Sequence, residues 1–546
     1  MHMNKAALKR VLGELPLTAE LYWQVRQNGK PLSRSFSLSR TQSWLPTWRL
    51  QAEAAARQRP PGKNILLFAT LRYWIEHAVL FGLGLAGLGH RATLAYLPYA
   101  NWRTAVNRFD LRRHNIYSRQ VLGAASPLLM TLSLLDVHPE GQRQGRASPL
   151  PQPLRQAIQE VSGRDVQYTL QVEDFDPQGE LFRLRMERNT QAAQAAFLWL
   201  HNHRPDVILT PNGSILEMGA VYQVARYLEI PVVTYEFGEQ QGRIWLAQNG
   251  EVMRQETDQL WAACRNLPLS AAQLEQARRL YTSRQSADLW ENFSRRWQGL
   301  PGQGGQAART ALQLDHRPVA LLAANVIGDS LTLGRQVFTR SMTEWLQSTV
   351  AYFAQRPDVQ LVVRIHPGER YTQGPSVADV VRHTLPELPG NICLVAADDP
   401  VNTYDLMEIA DLGLVYTTTV GMEMAMGGVP VIVVGQTHYR GRGFTLDPEN
   451  WDDYQRTLEQ VLGDPGAYHL PEEQVKQAWN YAYRFFFEYP QPFPWHLLHF
   501  WNELKDWPVE RVLSQPGQEL YGDTFRYLSG DPLDWSKRWQ STGSLA

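Results

Sequence analysis

Two short apolar runs with a helix between them lie in Asp411–Thr445, DLGLVYTTTVGMEMAMGGVPVIVVGQTHYRGRGFT. Neither DLGLVYT nor PVIVVG alternates apolar with polar residues, which is typical of parallel strands that are covered on both faces. Three threonines, Thr417, Thr418 and Thr419, follow the first run, and Gly421 stands where the helix begins. Ligands of parallel sheets bind beyond the carboxyl ends of the strands. The stretch therefore predicts an α/β unit with a ligand site after its strands.

Polar residues follow both runs. Hydroxyl groups and N–H groups at a helix N-terminus form an anion site, which Thr418, Thr419 and Gly421 would supply. Glu423 would either accept hydrogen bonds from ribose hydroxyls or merely favour the helix dipole. The Gly-rich loop after the second run suits a phosphate or an anionic sugar, and it contains His438, Tyr439, Arg440 and Arg442.

Three further apolar runs precede this stretch, and a helix or a long loop separates each from the next: VALLAANV (319–326), VQLVVRIHP (359–367) and NICLVAAD (391–398). Together they predict a doubly wound lobe over residues 317–465. His366 and Pro367 end the second run, where a histidine can donate to a phosphate and a proline fixes the turn. Arg364 and Arg370 flank them with positive charge.

A first lobe of the same kind is predicted over residues 61–255. Its strands are NILLFAT (64–70), RATLAYLPY (91–99), YTLQV (168–172), DVILTPN (206–212) and IPVVTYEFGE (230–239). Residues 140–165 are predicted to form a loop. Two lobes of this kind, with the ligand edges of their sheets facing across a cleft, suit a reaction of two substrates.

The remaining segments are predicted to connect or cover the lobes. Residues 1–60 read as a helical, basic preface, and residues 256–316 as a helical connector. Residues 466–546 read as an aromatic tail that packs across both lobes. The fold class is α/β.

Composition limits the class of protein. The chain has 546 residues, of which 44% are apolar and 20% charged, as in globular proteins. Two cysteines, Cys264 and Cys393, exclude a disulfide framework and a cysteine-rich zinc site. No apolar stretch reaches the length that spans a bilayer, and no signal peptide is recognised, so a cytoplasmic protein is expected.

Charge is unevenly distributed along the chain. Residues 1–124 contain 18 Lys and Arg against 5 Asp and Glu, whereas the whole chain has a net charge of −1. This asymmetry indicates either an ordinary basic surface or attraction to an anionic partner. The partner would be a phosphorylated acceptor, an acidic polymer or the inner face of a membrane, attracted by residues such as Arg103, Arg108, Arg112 and Arg113.

Two segments of the chain carry a family resemblance. RIHPGE (364–369) together with YTTTVGMEMAMGGVPVIVVGQTHYRGRGFT (416–445) resembles the capsule polysaccharide biosynthesis family, which includes bacterial Kdo transferases of capsule export. The same motifs resemble, more distantly, the polyglycerol-phosphate transferases of teichoic acid synthesis. The likeness covers residues 318–446 best, includes ANVIGDS (324–330), and is loose in the first lobe. It implies the two-lobed glycosyltransferase-B (GT-B) fold, with a nucleotide-activated sugar donor in the second lobe.

The resemblance also implies roles for particular residues. His366 and Pro367 fall on the His-Pro position that contacts the nucleotide. Thr418, Thr419 and Gly421 fall on the phosphate turn, with threonine where many relatives have serine. Glu423 falls on the glutamate that contacts ribose or base.

The expected activity is transfer of a sugar from a nucleotide donor to a surface-polysaccharide or glycolipid acceptor, without a cofactor, a metal ion or nucleic acid. Arg364, Arg440 and Arg442, with Tyr439, would support the departing phosphate. The base for the acceptor hydroxyl would be Glu236 or Glu239 in the loop YEFGEQQG, or else Asp329.

Three alternatives remain open from the sequence. A sugar-nucleotide epimerase has the same two-lobed fold and needs no acceptor. A glycerophosphate transferase would use a CDP-glycerol donor. A non-catalytic assembly protein would bind the nucleotide without turnover.

Overall fold

The computed structural model describes residues 5–27, 36–137, 149–290, 292–294, 296 and 298–538. The chain divides into two compact units. The first unit comprises Met1–Asp165, Asp176–Met253 and Gln491–Leu533. The second comprises Val166–Phe175, Arg254–Pro490 and Asp534–Ala546. Each unit is built on its own sheet.

The first unit contains a seven-stranded sheet in the order β12-β6-β5-β4-β1-β2-β3. Its strands are β1 Asn64–Thr70, β2 Arg91–Leu97, β3 Leu129–Ser133, β4 Val207–Pro211, β5 Val232–Glu236, β6 Arg243–Gln248 and β12 Gln491–Pro492. Strands β1 to β5 are parallel, and β6 and β12 add an antiparallel edge. The chain reverses its direction of winding at β1, which lies between β2 and β4, so the sheet is doubly wound.

Helices cover this sheet because its central strands are buried along nearly their whole length. They are α1 Lys5–Glu14, α2 Thr18–Tyr22, α3 Ser39–Ala56, α4 Arg72–Gly87, α5 Arg108–Leu122, α6 Gln152–Leu170 (shared with the second unit), α7 Glu180–Asn202, α8 Leu216–Tyr227, α18 Phe500–Glu503, α19 Val509–Leu513 and α20 Gln515–Leu528. A π-helical turn, Trp23–Gln27, follows α2. Helix α4 is buried on nearly all sides, since the sheet lies on one side of it and α3 and α19 pack elsewhere.

The second unit contains a five-stranded, wholly parallel sheet in the order β11-β10-β7-β8-β9. Its strands are β7 Val319–Ala323, β8 Gln360–Arg364, β9 Ile392–Val395, β10 Leu412–Val415 and β11 Val431–Val433. The winding reverses at β7, which lies between β8 and β10. The predicted pair of doubly wound sheets is confirmed, and each unit has the Rossmann-like organisation that a GT-B fold requires.

The helices of the second unit fall before, within and after this strand series. They are α9 Asp258–Cys264, α10 Ala271–Gln285, α11 Gly305–Ala311, α12 Met342–Ala354, α13 Val377–Thr384, α14 Thr403–Met407, α15 Val420–Met426, α16 Trp451–Gly463, α17 Glu472–Tyr483 and α21 Trp535–Arg538. Helix α17 continues as a π-helical turn, Arg484–Glu488. No helix among the described residues is long and apolar enough to cross a bilayer.

The prediction of a strand at YTLQV is wrong. Tyr168 to Leu170 are the last turn of α6, and the chain leaves that helix before Val172. The buried residues Leu154, Ile158 and Val161 recur at helical spacing and carry the helix through this β-prone stretch. The same helix replaces the described part of the loop predicted at 140–165, and 138–148 lie outside the described residues.

The first and last segments of the chain belong to the cores of the units. Leu45 and Trp48 of α3 are part of the first unit's core, so residues 1–60 are not a separate preface. Trp495 and Phe525 from the tail lie in the same core, whereas residues 466–490 of the tail belong to the second unit. The segment predicted as a connector, 256–316, also belongs to the second unit.

Candidate active site

Backbone in the left-handed region follows two adjacent central strands of the first unit. Leu71, after β1, has φ 64°, and Asn212 and Gly213, after β4, have φ 58° and 82°. Asparagine tolerates such angles better than leucine does, and the cost at Leu71 must be met by the surrounding fold. Strained residues concentrate at active sites and ligand clamps. This edge of the sheet is therefore a candidate acceptor site.

Glu236 ends the next strand along the same edge. Its Oε2 accepts a hydrogen bond from the Asn212 amide (3.1 Å), and its Oε1 accepts one from the Phe237 N–H (3.0 Å). Burial raises the pKa of Glu236, and the two hydrogen bonds act in the opposite direction. A carboxyl group that is oriented by hydrogen bonds and has a raised pKa suits the role of a general base.

The tail of the chain fixes the loop that Glu236 begins. His496 Nε2 donates to the Gly238 carbonyl (3.0 Å), and His496 Nδ1 accepts from the Leu498 N–H (3.2 Å). Burial lowers the pKa of His496 to about 4, so the ring is neutral and keeps this tautomer near pH 7. Glu503 accepts from the N–H groups of His496 and Gly242, and burial raises its pKa to about 7.

The sequence analysis missed Asn212, His496 and Glu503. An Asn-Gly pair directly after a buried run was the available signal for Asn212. His496 lies 258 positions from its partner in the loop, and no local pattern could have revealed that contact.

The other two candidate bases occupy different surroundings. Glu239 is partly buried in the same loop as Glu236. Asp329 belongs to the second unit, where its Oδ1 accepts from the Ser330 N–H (2.7 Å) and its backbone carbonyl accepts from the Thr332 and Leu333 N–H groups. These bonds make Asp329 the start of a tight turn after β7.

The carboxyl edge of the second sheet brings together residues from three adjacent strands. Asn325 follows β7, His366 follows β8, and Thr417, Thr418 and Thr419 follow β10. The Asn325 Oδ1 accepts from the Thr417 N–H (3.1 Å), which joins two of these loops. The Thr417 Oγ1 is buried and has no hydrogen-bond partner within the described part of the chain. A buried hydroxyl without a partner is costly and indicates a group that binds there.

His366 presents a defined donor at this edge. Its Nδ1 accepts from the Gly368 N–H (3.0 Å), so the neutral ring carries its proton on Nε2. Pro367 opens a short 3₁₀ helix, Pro367–Tyr371. The ring is partly exposed. His366 can therefore donate to a phosphate or a ribose oxygen.

Arg364 lies in a different setting from His366. It is buried, and its guanidinium donates to the Ala396 carbonyl (2.6 Å) and to the Thr403 hydroxyl (3.2 Å). Burial lowers its pKa. These bonds tie β8 to the chain after β9, and they favour a structural role over the expected contact with a leaving phosphate.

Arg440 and Arg442, which the sequence predicts to support the departing phosphate, also donate hydrogen bonds to groups of the protein. Arg440 is buried and donates to the carbonyls of Val433 and Pro448 and to Glu449. Arg442 donates to Asp258, Thr257 and the His438 carbonyl. These bonds favour a structural role for both arginines, and the expected contact with the leaving phosphate stays a prediction.

Glu423 is similarly enclosed. It is 3% exposed, one carboxylate oxygen pairs with Arg284 of α10, and the other accepts from the Tyr404 hydroxyl at 3.1 Å. Burial and the Glu423 charge both raise the pKa of Tyr404 well above its ordinary value, which keeps that hydroxyl a donor. Both oxygens therefore have protein partners, which favours a structural role over contact with ribose.

Gly421 makes room for a tyrosine. Tyr439 is fully buried, and its hydroxyl donates to the Thr418 carbonyl (2.5 Å) at the start of α15. A Cβ on Gly421 would clash with that hydroxyl and with Val415. The glycine thus allows Tyr439 to hold the threonine turn, whereas the sequence analysis expected it to admit a ligand.

Gly421→Ala is expected to destabilise the second unit by about 1–3 kcal/mol, the usual cost of overpacking a close contact. Urea unfolding followed by circular dichroism measures the change. Gly390→Ala is the control, since a Cβ at Gly390 meets open space. Equal stability of the two variants would contradict the role of Gly421 as a spacer for Tyr439.

No family model and no curated protein sequence matches the chain. Among solved structures, it is similar to two KpsC enzymes of Thermosulfurimonas dismutans, a beta Kdo 2,4 transferase and a beta Kdo 2,7 transferase. Both are 15% identical, with TM-scores of 0.34 and 0.31; the matches cover 53% and 57% of this chain and 82% and 89% of theirs. A UDP-GlcNAc 2-epimerase from Neisseria meningitidis is 12% identical, with a TM-score of 0.23, over 77% of this chain and 98% of its own. The first two are Kdo transferases, the enzyme class that the sequence motifs resemble, and what this chain does has to be argued from its own residues.

Proposed function

We propose that the chain is a glycosyltransferase that moves a sugar from a nucleotide-activated donor to a carbohydrate acceptor. Glu236 is the observation that carries this proposal. It is a carboxylate at the ligand edge of the first sheet. Burial raises its pKa, and a hydrogen bond from Asn212 orients the carboxyl group. Such a group removes the proton from an acceptor hydroxyl as that oxygen attacks the anomeric carbon.

The second sheet supplies the donor site in this proposal. His366 donates from Nε2 after β8, and the hydroxyl groups of Thr417 and Thr418 lie after β10, on the other side of β7. Arg370, which is exposed in the same short helix as Pro367, provides the positive charge that the buried arginines do not. Oxygen and nitrogen donors of this kind neutralise a diphosphate as it leaves, so the reaction is proposed to need no metal ion.

The acceptor is proposed to be a surface polysaccharide or a lipid-linked glycan, in keeping with the family that the motifs resemble. The reaction is proposed to take place in the cytoplasm. An epimerase, a CDP-glycerol transferase and a binding protein without turnover remain the alternatives.

One experiment separates these functions. The protein is first screened for thermal stabilisation by CMP, CDP, UDP, GDP and TDP, because a nucleotide at 100 times its Kd adds about 2.7 kcal/mol to stability. Sugar donors of the best nucleotide are then incubated with and without glycan acceptors, in the presence of a chelator. Acceptor-dependent release of nucleotide supports the proposal. A changed sugar without acceptor, CDP release from CDP-glycerol, or binding without turnover would each contradict it.

His366→Ala is expected to weaken binding of that nucleotide about ten- to a hundredfold, the value of a lost hydrogen bond to a charged partner. Isothermal titration calorimetry measures the affinity. His383→Ala is the control, because His383 is an exposed histidine of the same unit. Unchanged affinity in His366→Ala would remove His366 from the donor site.

A further inference from the structure

Exposed apolar side chains are concentrated near the start of the chain. Of the twenty large apolar side chains that are exposed among the described residues, seven lie before residue 26. Six of them form what is called here the N-terminal apolar row: Leu8, Val11, Leu15, Leu17, Leu21 and Val25. Val25 is 76% exposed and Leu17 64%. Single exposed leucines are ordinary, but a run of this density marks an interaction surface.

The row has helical spacing. Leu8, Val11 and Leu15 recur every three or four residues along and just after α1, so they share one face of that helix. Leu17 precedes α2 in the left-handed region, and Leu21 and Val25 lie four residues apart on α2 and its π-helical turn. Amphipathic helices of this type present an apolar face to whatever covers them.

The opposite side of this segment is anchored to α5. Lys9 pairs with Asp110 at 2.7 Å, and Trp23 is buried against Tyr117 with ring centroids 5.8 Å apart. These contacts hold the segment against α5 and leave the apolar row exposed. The exposure of the row is therefore not the result of a helix that has lost its packing.

The charges around the row are positive. The two acidic residues of the segment are paired with arginines of α5, Glu14 with Arg108 and Glu20 with Arg112. Arg10 and Arg26 are exposed beside the row. Residues 5–27 and 108–122 together contain eight basic and three acidic residues. This surface attracts an anionic partner.

The same pairs involve arginines that the sequence predicts to attract an anionic partner. Arg108, Arg112 and Arg113 are each in an ion pair, and Arg113 also lies 5.0 Å over the Tyr22 ring. These contacts fix the segment on α5, and Arg10 and Arg26 lie exposed beside the apolar row.

We propose that the N-terminal apolar row docks on the surface of a membrane that contains anionic phospholipids. Apolar side chains enter the acyl boundary while arginines meet the phosphate groups, which is how interfacial helices bind. A second copy of this chain would place one basic surface against another, which Coulomb repulsion opposes. The lipid surface therefore fits both the apolar row and its charge.

Vesicle sedimentation tests the proposal with the full chain and no other ligand. Wild-type protein is expected to bind vesicles of phosphatidylcholine mixed with phosphatidylglycerol, and to bind pure phosphatidylcholine much less. Val11→Ser/Leu21→Ser/Val25→Ser is expected to lose binding at least about tenfold, since three buried apolar side chains are removed. Arg10→Gln/Arg26→Gln is expected to bind less in low salt and equally to wild type in high salt.

Matched controls keep the result interpretable. Leu289→Ser/Leu300→Ser/Leu520→Ser changes three leucines elsewhere that are each at least half exposed, and it is expected to bind like wild type. Circular dichroism melting confirms that each variant is folded. Failure of the wild type to bind anionic vesicles, or equal binding by the two serine variants, overturns the proposal. So does a wild-type dimer in analytical ultracentrifugation that the Val11, Leu21 and Val25 variant abolishes, because the row would then be a self-association surface.

Discussion

Glu236→Gln is expected to lower turnover at least about a hundredfold while nucleotide affinity stays unchanged. Glutamine keeps the shape of the side chain, and its single carbonyl oxygen can still accept from one of the two donors, the Asn212 amide or the Phe237 N–H. It cannot take a proton from an acceptor hydroxyl. The measurement is acceptor-dependent nucleotide release under saturating donor, with calorimetry for the affinity.

The pH profile gives an independent check on Glu236. The base works only as a carboxylate, so turnover should fall as the pH is lowered through its pKa. Burial raises that pKa, and the acid limb of the wild-type profile should therefore lie above the range of an ordinary glutamate. Asn212→Ala removes a hydrogen bond that stabilises the charged form, and it should move the limb to still higher pH.

Glu239→Gln is the comparison variant, since it changes the other candidate base of the same loop, a partly buried glutamate, and it is expected to keep near wild-type turnover if Glu236 is the base. Near wild-type turnover in Glu236→Gln would place the base elsewhere. Glu239 and Asp329 would then be tested in the same way. Loss of stability and affinity together in Glu236→Gln would instead mean that Glu236 orders the loop.

The central strands of both sheets could be predicted because burial on both faces leaves nearly continuous apolar runs in the sequence, whereas β3, β6 and β12 of the first sheet were not predicted. Runs such as NILLFAT and VQLVV are apolar apart from one or two residues, and they proved to be β1 and part of β8. The strand predicted at 168–172 was wrong because these β-prone residues lie at the end of helix α6, whose buried residues come earlier in the chain. Local preference gave way there to packing over nineteen residues of α6.

The polar residues were harder to assign, because their partners come from distant parts of the chain or from the backbone. A conspicuous cluster, Arg440 and Arg442 in a Gly-rich loop, proved to donate to backbone carbonyls and to side chains of the same unit. An inconspicuous pair in the tail, His496 and Glu503, proved to hold the loop of Glu236. Charge in a loop predicts that a partner exists, and only the fold determines which one.

Glu423 is the residue for which sequence and structure differ most, and Glu423→Ala distinguishes the two interpretations. Its removal would leave the Arg284 guanidinium buried without a counter-charge and the Tyr404 hydroxyl without its acceptor. Breaking a buried ion pair on one side costs about 3–5 kcal/mol, so the free energy of unfolding in urea is expected to fall by about that amount. Glu472→Ala breaks an exposed pair with Lys476 and should cost at most about 1 kcal/mol.

A second variant separates packing from binding at Glu423. In Arg284→Met/Glu423→Leu both charges are gone and the space is filled, so much of the lost stability should return. If the glutamate serves only to pair with Arg284, this double variant should also bind the nucleotide with nearly wild-type affinity. A stable double variant that binds the nucleotide tenfold or more weakly would instead support the contact between Glu423 and ribose that the family resemblance implies. An unchanged free energy of unfolding in Glu423→Ala would mean that Arg284 finds another acceptor, and the buried pair would then not be what holds α10 against α15.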